Sequence, residues 1–153
     1  MRTIGELLCA FVDSSGIKWR ACKVRCAEEY VRFALHPLQK GASPVEIYVY
    51  DDEGGPVGVA AGLNVYFNIP DDIDVPPGVD SHRFLLEIVK SICNGSLCET
   101  VYLVDEIPFR WVFDLPVLGE NLHLDRMNVP RRMRYLGQEI RELTLLYRNA
   151  LVD

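Results

Sequence analysis

The sequence predicts one α+β domain: an antiparallel sheet of about five strands with three principal helices, in the order α-β-β-β-α-β-β-α. Three observations point there. Strict apolar alternation runs through residues 45–67. Helical apolar stripes occupy both ends and the middle of the chain. The length of 153 residues, with 49% hydrophobic and 25% charged residues, suits a single globular domain spanning 1–153. A chain of this size buries roughly 70% of its unfolded surface, so it needs no metal or disulfide to fold.

The first helix opens on Thr3-Ile-Gly-Glu6, a capping-box pattern. Ile4, Leu7, Leu8 and Phe11 then recur on one helical face, and Ser14-Ser15-Gly16 ends it. Ile17 to Cys26 reads as a basic strand. Ala27 to Leu35 fits either a strand or a short helix, closed by His36-Pro37.

Val45, Ile47 and Val49 alternate with Glu46, Tyr48 and Tyr50. After the acidic turn Asp51-Asp52-Glu53-Gly54-Gly55, Val57 to Phe67 alternates over eleven residues and reads as one strand. The two strands pair as a hairpin. Gly58, Ala60 and Gly62 leave one face almost bare, which invites a backbone or a helix at close range. Residues 70–79 form a proline-rich loop.

The second helix starts at Asp80 or Ser81, carries Phe84, Leu85, Ile88, Val89 and Ile92 inward, and stops at Asn94-Gly95. Cys98 to Asp105 and Phe109 to Leu115 predict a second hairpin. Residues 116–129 read as a loop. Met133, Leu136, Ile140, Leu143, Tyr147 and Leu151 predict a last amphipathic helix of about six turns, with Pro130 in its first turn.

Net charge is −6, which removes the overall basic footprint expected of a nucleic-acid binder. The charges are segregated. Residues 1–40 carry 7 basic and 4 acidic groups, residues 41–78 carry 0 and 7, and residues 79–153 carry 9 and 11. Asp51, Asp52 and Glu53, with Asp71, Asp72 and Asp74, form solvated loop tips or a docking edge for a basic partner. Arg126, Arg131, Arg132 and Arg134 oppose the dipole of the predicted last helix, which points to an anionic contact, such as the chain's own acidic loop. No apolar run is a membrane span, and the N-terminal stretch lacks a signal-peptide core. The odd set Cys9, Cys22, Cys26, Cys93 and Cys98 suits reduced thiols in the cytoplasm.

Catalytic motifs are missing. The chain has no nucleophile elbow, Walker loop or dinucleotide fingerprint. Cys22/Cys26 lie along a strand and Cys93/Cys98 flank a helix end, poor spacing for structural zinc. No metal and no cofactor are expected. An enzymatic reading needs His36, His82 or His123 brought to Cys26 or Cys98, or a carboxylate pair gathered in a pocket. Tyr48, Tyr50 and Tyr66 instead make an exposed recognition face, unless a helix covers them.

Four stretches resemble the YbjN-type fold, which is similar to that of type III secretion chaperones. They are Glu6–Phe11 with Ser14-Ser15-Gly16, Phe84–Asn94, Val101–Val104 with Phe109–Pro116, and Met133–Leu151. The likeness lies in order and pattern and covers most of the chain. It implies a non-enzymatic, acidic protein that binds another polypeptide and forms a homodimer. The middle helix would offer Phe84, Leu85, Ile88 and Ile92 to the dimer. Leu7, Leu8 and Phe11 would line a groove for an extended partner. Tyr48, Tyr50, Tyr66, Asp51, Asp52 and Glu53 complete the expected partner-binding set, with neither nucleic acid nor membrane as a partner. The alternatives are an immunity protein that neutralises a basic toxin through its acidic surface, and an enzyme with a cysteine–histidine or carboxylate site.

Overall fold

In the computed structural model, which describes residues 3–50, 55–128 and 139–151, Thr3 caps the first helix, α1 (Ile4–Ser14). The Glu6 amide donates to the Thr3 hydroxyl at 3.1 Å and the Thr3 amide donates to Glu6 at 3.2 Å, so both halves of the capping box form. Five strands follow: β1 (Trp19–Cys26), β2 (Val31–Pro37), β3 (Val45–Val49), β4 (Val57–Ala61) and β5 (Val65–Ile69). They pair antiparallel in sequence order as one sheet. Helix α2 (Ser81–Cys93) leads into a second antiparallel sheet. Its strands are β6 (Cys98–Val104), β7 (Ile107–Val117), β8 (Glu120–Met127) and β9 (Ile140–Leu146), in the order β8-β7-β6-β9.

The alternation in β3, β4 and β5 puts Val45, Ile47, Val59 and Phe67 on one face, each 0% exposed. That face meets Ile4 and Leu8 of α1 and the α2 stripe Phe84, Leu85, Ile88, Val89 and Ile92. Asp80 caps α2 by accepting from the Arg83 amide at 3.0 Å. Gly95, at φ +88°, turns the chain out of it. The second sheet closes the core with Phe113, Leu115 and Val117, and the Phe113 ring stacks on Phe67 at 5.3 Å.

The predicted α+β order is corrected in three places. Among the described residues there are two helices, not three, and the strands form two sheets of five and four rather than one of about five. The first correction is at the C-terminus, where 140–146 is strand β9 and not helix. Ile140, Leu143 and Leu151 of the expected stripe would have faced a core from a helix, yet they are 59%, 39% and 48% exposed, and Met133 and Leu136 lie outside the described residues. Leu145 and Tyr147 are the half-buried pair, at period two. Strand β6 would otherwise be an open edge, and pairing it over seven residues satisfies its backbone groups, a tertiary gain that local helical spacing cannot offset. This stretch carried part of the YbjN-type pattern.

The second correction is β8, in a stretch read as loop. Leu122 and Leu124 alternate with polar residues there, and Leu118 and Gly119, both at positive φ, make the tight turn back to β7.

The third is the single strand read over 57–67. A three-residue turn, Gly62-Leu63-Asn64, divides it into β4 and β5. Ala61 faces Val65 directly, an even offset, so the apolar parity runs through the turn unbroken and imitates one strand. Of residues 27–35, open between helix and strand, 31–35 enter β2 and 27–30 turn the chain from β1 into it.

Candidate functional site

The outer face of the five-stranded sheet, opposite the core, gathers the polar and aromatic residues of β1–β5. Period two sends Glu46 and Tyr48 outward from β3, with Tyr50 just beyond its end. Cross-strand register sets Arg32 opposite Tyr48 and Arg25 opposite Arg32. On the other side Tyr48 faces Gly58, and Glu46 faces Ala60, which in turn faces Tyr66.

Gly58 explains how the rings lie. A Cβ there would stand 2.9 Å from the Tyr66 hydroxyl oxygen and 3.4 Å from Tyr48 Cβ. The bare strip therefore admits tyrosine side chains, not the backbone or helix that the sequence suggested. Tyr30 packs edge-on against Tyr48 (5.5 Å) and Tyr50 (5.9 Å), and Tyr48 against Tyr66 (6.3 Å). These are favourable aromatic geometries. Both described helices lie on the opposite face, so neither covers the tyrosines. Tyr50 is 43% exposed.

Glu46 is the polar hub of this face. Arg32 donates to its carboxylate from Nε (3.2 Å) and from a terminal nitrogen, and the Tyr48 hydroxyl donates at 2.7 Å. His36 Nε2 stands 3.8 Å away. The bond from Arg32 holds the Glu46 carboxyl below the usual range, with help from the Tyr48 hydroxyl and against the effect of burial. The bond to Glu46 in turn raises Tyr48. Hydrogen bonding with Tyr50, together with burial, pushes Tyr66 up to about 12. The Tyr66 hydroxyl also donates to Asn68 at 3.2 Å. The rings are thus fixed before any partner arrives.

Other expected site residues are placed differently. Phe84, Leu85, Ile88 and Ile92 are 0–3% exposed inside one chain, and none is left for a second copy. Leu8 is 2% exposed in the same core, while Leu7 is half-buried. Phe11 stands edge-on to Trp19 at 6.2 Å and borders a cavity of about 410 Å³ with Ile17, Lys90 and Cys93. Asp51, Asp52 and Glu53 lie outside the described residues. Asp72 of the acidic loop accepts from Arg126 at 3.0 Å and from the Asn68 amide at 2.7 Å, so the expected contact between that loop and the arginine cluster forms at Arg126. Arg131, Arg132 and Arg134 lie outside the described residues.

The chemistry sought from cysteine and histidine is dispersed. All five cysteines are free, and Cys93 is buried, which pushes its thiol up to about 12. The cavity beside Cys93 contains no histidine. His123 pairs with Asp114 at 2.8 Å on the second sheet, and His82 lines a small apolar cavity at the start of α2. Among the described residues no three His, Cys, Asp or Glu gather as a metal site. No described helix is long and apolar enough to cross a membrane.

A second polar cluster escaped sequence reasoning. Glu99 of β6 is 1% exposed. It accepts from the amides of Leu63 (3.0 Å) and Asn64 (2.8 Å) and from the Tyr147 hydroxyl (2.6 Å). The Gly62 amide donates to Ser43, which is fully buried. The signal was present: Glu99 shares its strand face with Val101 and Leu103, where a charge needs buried partners. No family model matches this chain, and neither does any curated protein or solved structure.

Proposed function

We propose that this protein is a binding module, chaperone-like or adaptor in role, that engages another polypeptide through the outer face of its five-stranded sheet. The observation that carries the reading is the contacting set Tyr30, Tyr48, Tyr50 and Tyr66, with the Tyr48 and Tyr66 hydroxyls bonded to Glu46 and Asn68, on a face that neither described helix covers. Tyrosine offers large contact area with few torsions to freeze, and it is enriched at interface centres. Prior fixing of the rings lowers the entropy cost of docking. The five free thiols suit a reducing, cytoplasmic setting.

The test is a photo-crosslinking residue placed at Tyr50, with a second at Thr144 on the other sheet as control, both expressed in the native host. A discrete polypeptide adduct at position 50, weakened by Tyr48→Ala, is the expected result. Adducts no more frequent at 50 than at 144 would overturn the reading.

A further inference from the structure

Resting on that reading, we propose that the β1–β2 half of the same face receives an acidic segment of the partner polypeptide. In a chain of net charge −6, residues 18–40 hold six Lys and Arg against two Glu. The sheet concentrates this excess. Arg25 and Arg32 are directly opposite one another across β1 and β2, a like-charge arrangement that works against pairing. Lys23 is two residues from Arg25 and therefore on the same face. Lys23, Arg25, Arg32 and His36 line a shallow cavity of about 430 Å³. The acidic group on this face, Glu46, is already bonded to Arg32 and Tyr48. Lys23 and Arg25 make no ion pair among the described residues.

Strand β1 is also the edge of its sheet. Lysine and arginine on a free edge repel the same edge of another copy. The same charges attract carboxylates. A polypeptide is favoured over single-stranded nucleic acid by the ring packing. Base stacking needs an open aromatic face, whereas the tyrosines pack edge against face at interplanar angles of 63–69°.

The probe is a fluorescent decaglutamate peptide, titrated with the whole protein and followed by anisotropy. Decalysine and a ten-residue oligouridine serve as comparisons. Decaglutamate is expected to bind, to weaken as salt rises from about 50 to about 300 mM, and to weaken about tenfold or more in the Lys23→Glu/Arg25→Glu variant. Both side chains are exposed, so the variant keeps its fold, which circular dichroism checks. Arg110→Ala on the other sheet is expected to bind as the parent does. Absence of decaglutamate binding, indifference to the double substitution, or preference for oligouridine would each overturn the proposal. If decaglutamate fails while position 50 still captures a polypeptide, the acidic chemistry falls and the binding face stands. If both fail, the face itself is wrong.

Discussion

Two glutamates, Glu99 and Glu46, organise opposite sides of the molecule, and they do so by different physics. Glu99 is buried, bound by two turn amides and a phenol, and joins the second sheet to the β4–β5 turn of the first. Glu46 is on the outer face, with its side chain 21% exposed, bound by a guanidinium and a phenol. No described cation pairs with the first carboxyl group, which is held by fixed N–H and O–H donors away from water. The second has a cation beside it and is partly open to solvent. The inner joint should therefore govern stability, while the outer hub should govern the shape of a surface.

The widest separation between the two comes from truncation. Glu99→Ala leaves the Asn64 amide and the Tyr147 hydroxyl without their acceptor and the Leu63 amide with the Tyr147 oxygen alone, at a cost of about 3 kcal/mol. Glu46→Ala removes a partly solvated pair and should cost less than about 1 kcal/mol. Urea unfolding at neutral pH measures both. Equal losses would erase the distinction.

Gly62→Ala attacks the same joint from the other strand. Gly62 has φ +56°, and an added Cβ would stand 2.5 Å from Glu99 Oε1 and 2.7 Å from the Tyr147 hydroxyl. Strain and clash together predict a loss of about 2 kcal/mol in the same urea assay. Gly78→Ala has a similar φ of +78° but open space around it, and should lose less. If the two lose alike, backbone strain alone accounts for both and the Glu99 cradle is not a tight fit.

Much of this contrast was legible before the fold was known, though unevenly. Alternation from Val45 to Tyr50 assigned Glu46 and both tyrosines to one face, and short-range pattern is enough for that. Tyr30 and Arg32 join the cluster only through the β1–β2–β3 register, which local sequence does not encode. The Glu99 joint takes partners 35, 36 and 48 residues away. Helical spacing misled at residues 140–151 because Ile140, Leu143 and Tyr147 step by three and four, which masked the period-two pair Leu145 and Tyr147, and an unpaired β6 edge decided for the strand. The divided strand β4–β5 was hidden by parity, not by weak signal.

Alkaline pH should unfasten the inner joint by a smaller, graded amount. Burial, with the bond to Glu99, raises the Tyr147 phenol. The folded state thus favours the neutral phenol more than the unfolded state does. Its contribution is complete below the ordinary tyrosine value of about 10 and declines as pH rises toward the folded value. Tyr48 and Tyr66 are also raised and decline in the same window. Tyr147→Phe should therefore start less stable at neutral pH and lose stability less steeply above about pH 10. Parallel slopes for parent and variant would place the alkaline loss elsewhere.

Acid should probe the outer hub with the smallest effect of the series. The folded state holds the Glu46 carboxyl below its ordinary value because Arg32 and the Tyr48 hydroxyl bind the charged form. Its contribution is then present above the unfolded value of about 4.3 and fades as pH falls through the folded one. Solvent access at both partners keeps it under about 1 kcal/mol. Glu46→Gln retains the shape and removes the titration. The parent should be slightly more stable than Glu46→Gln at neutral pH, and the two should converge in acid, once the folded carboxyl as well as the unfolded one is protonated. A gap that persists in acid would mean that Glu46 acts through carboxyl hydrogen bonds that the Gln amide does not reproduce, not through its charge. The outer face would then be as rigidly built as the inner joint.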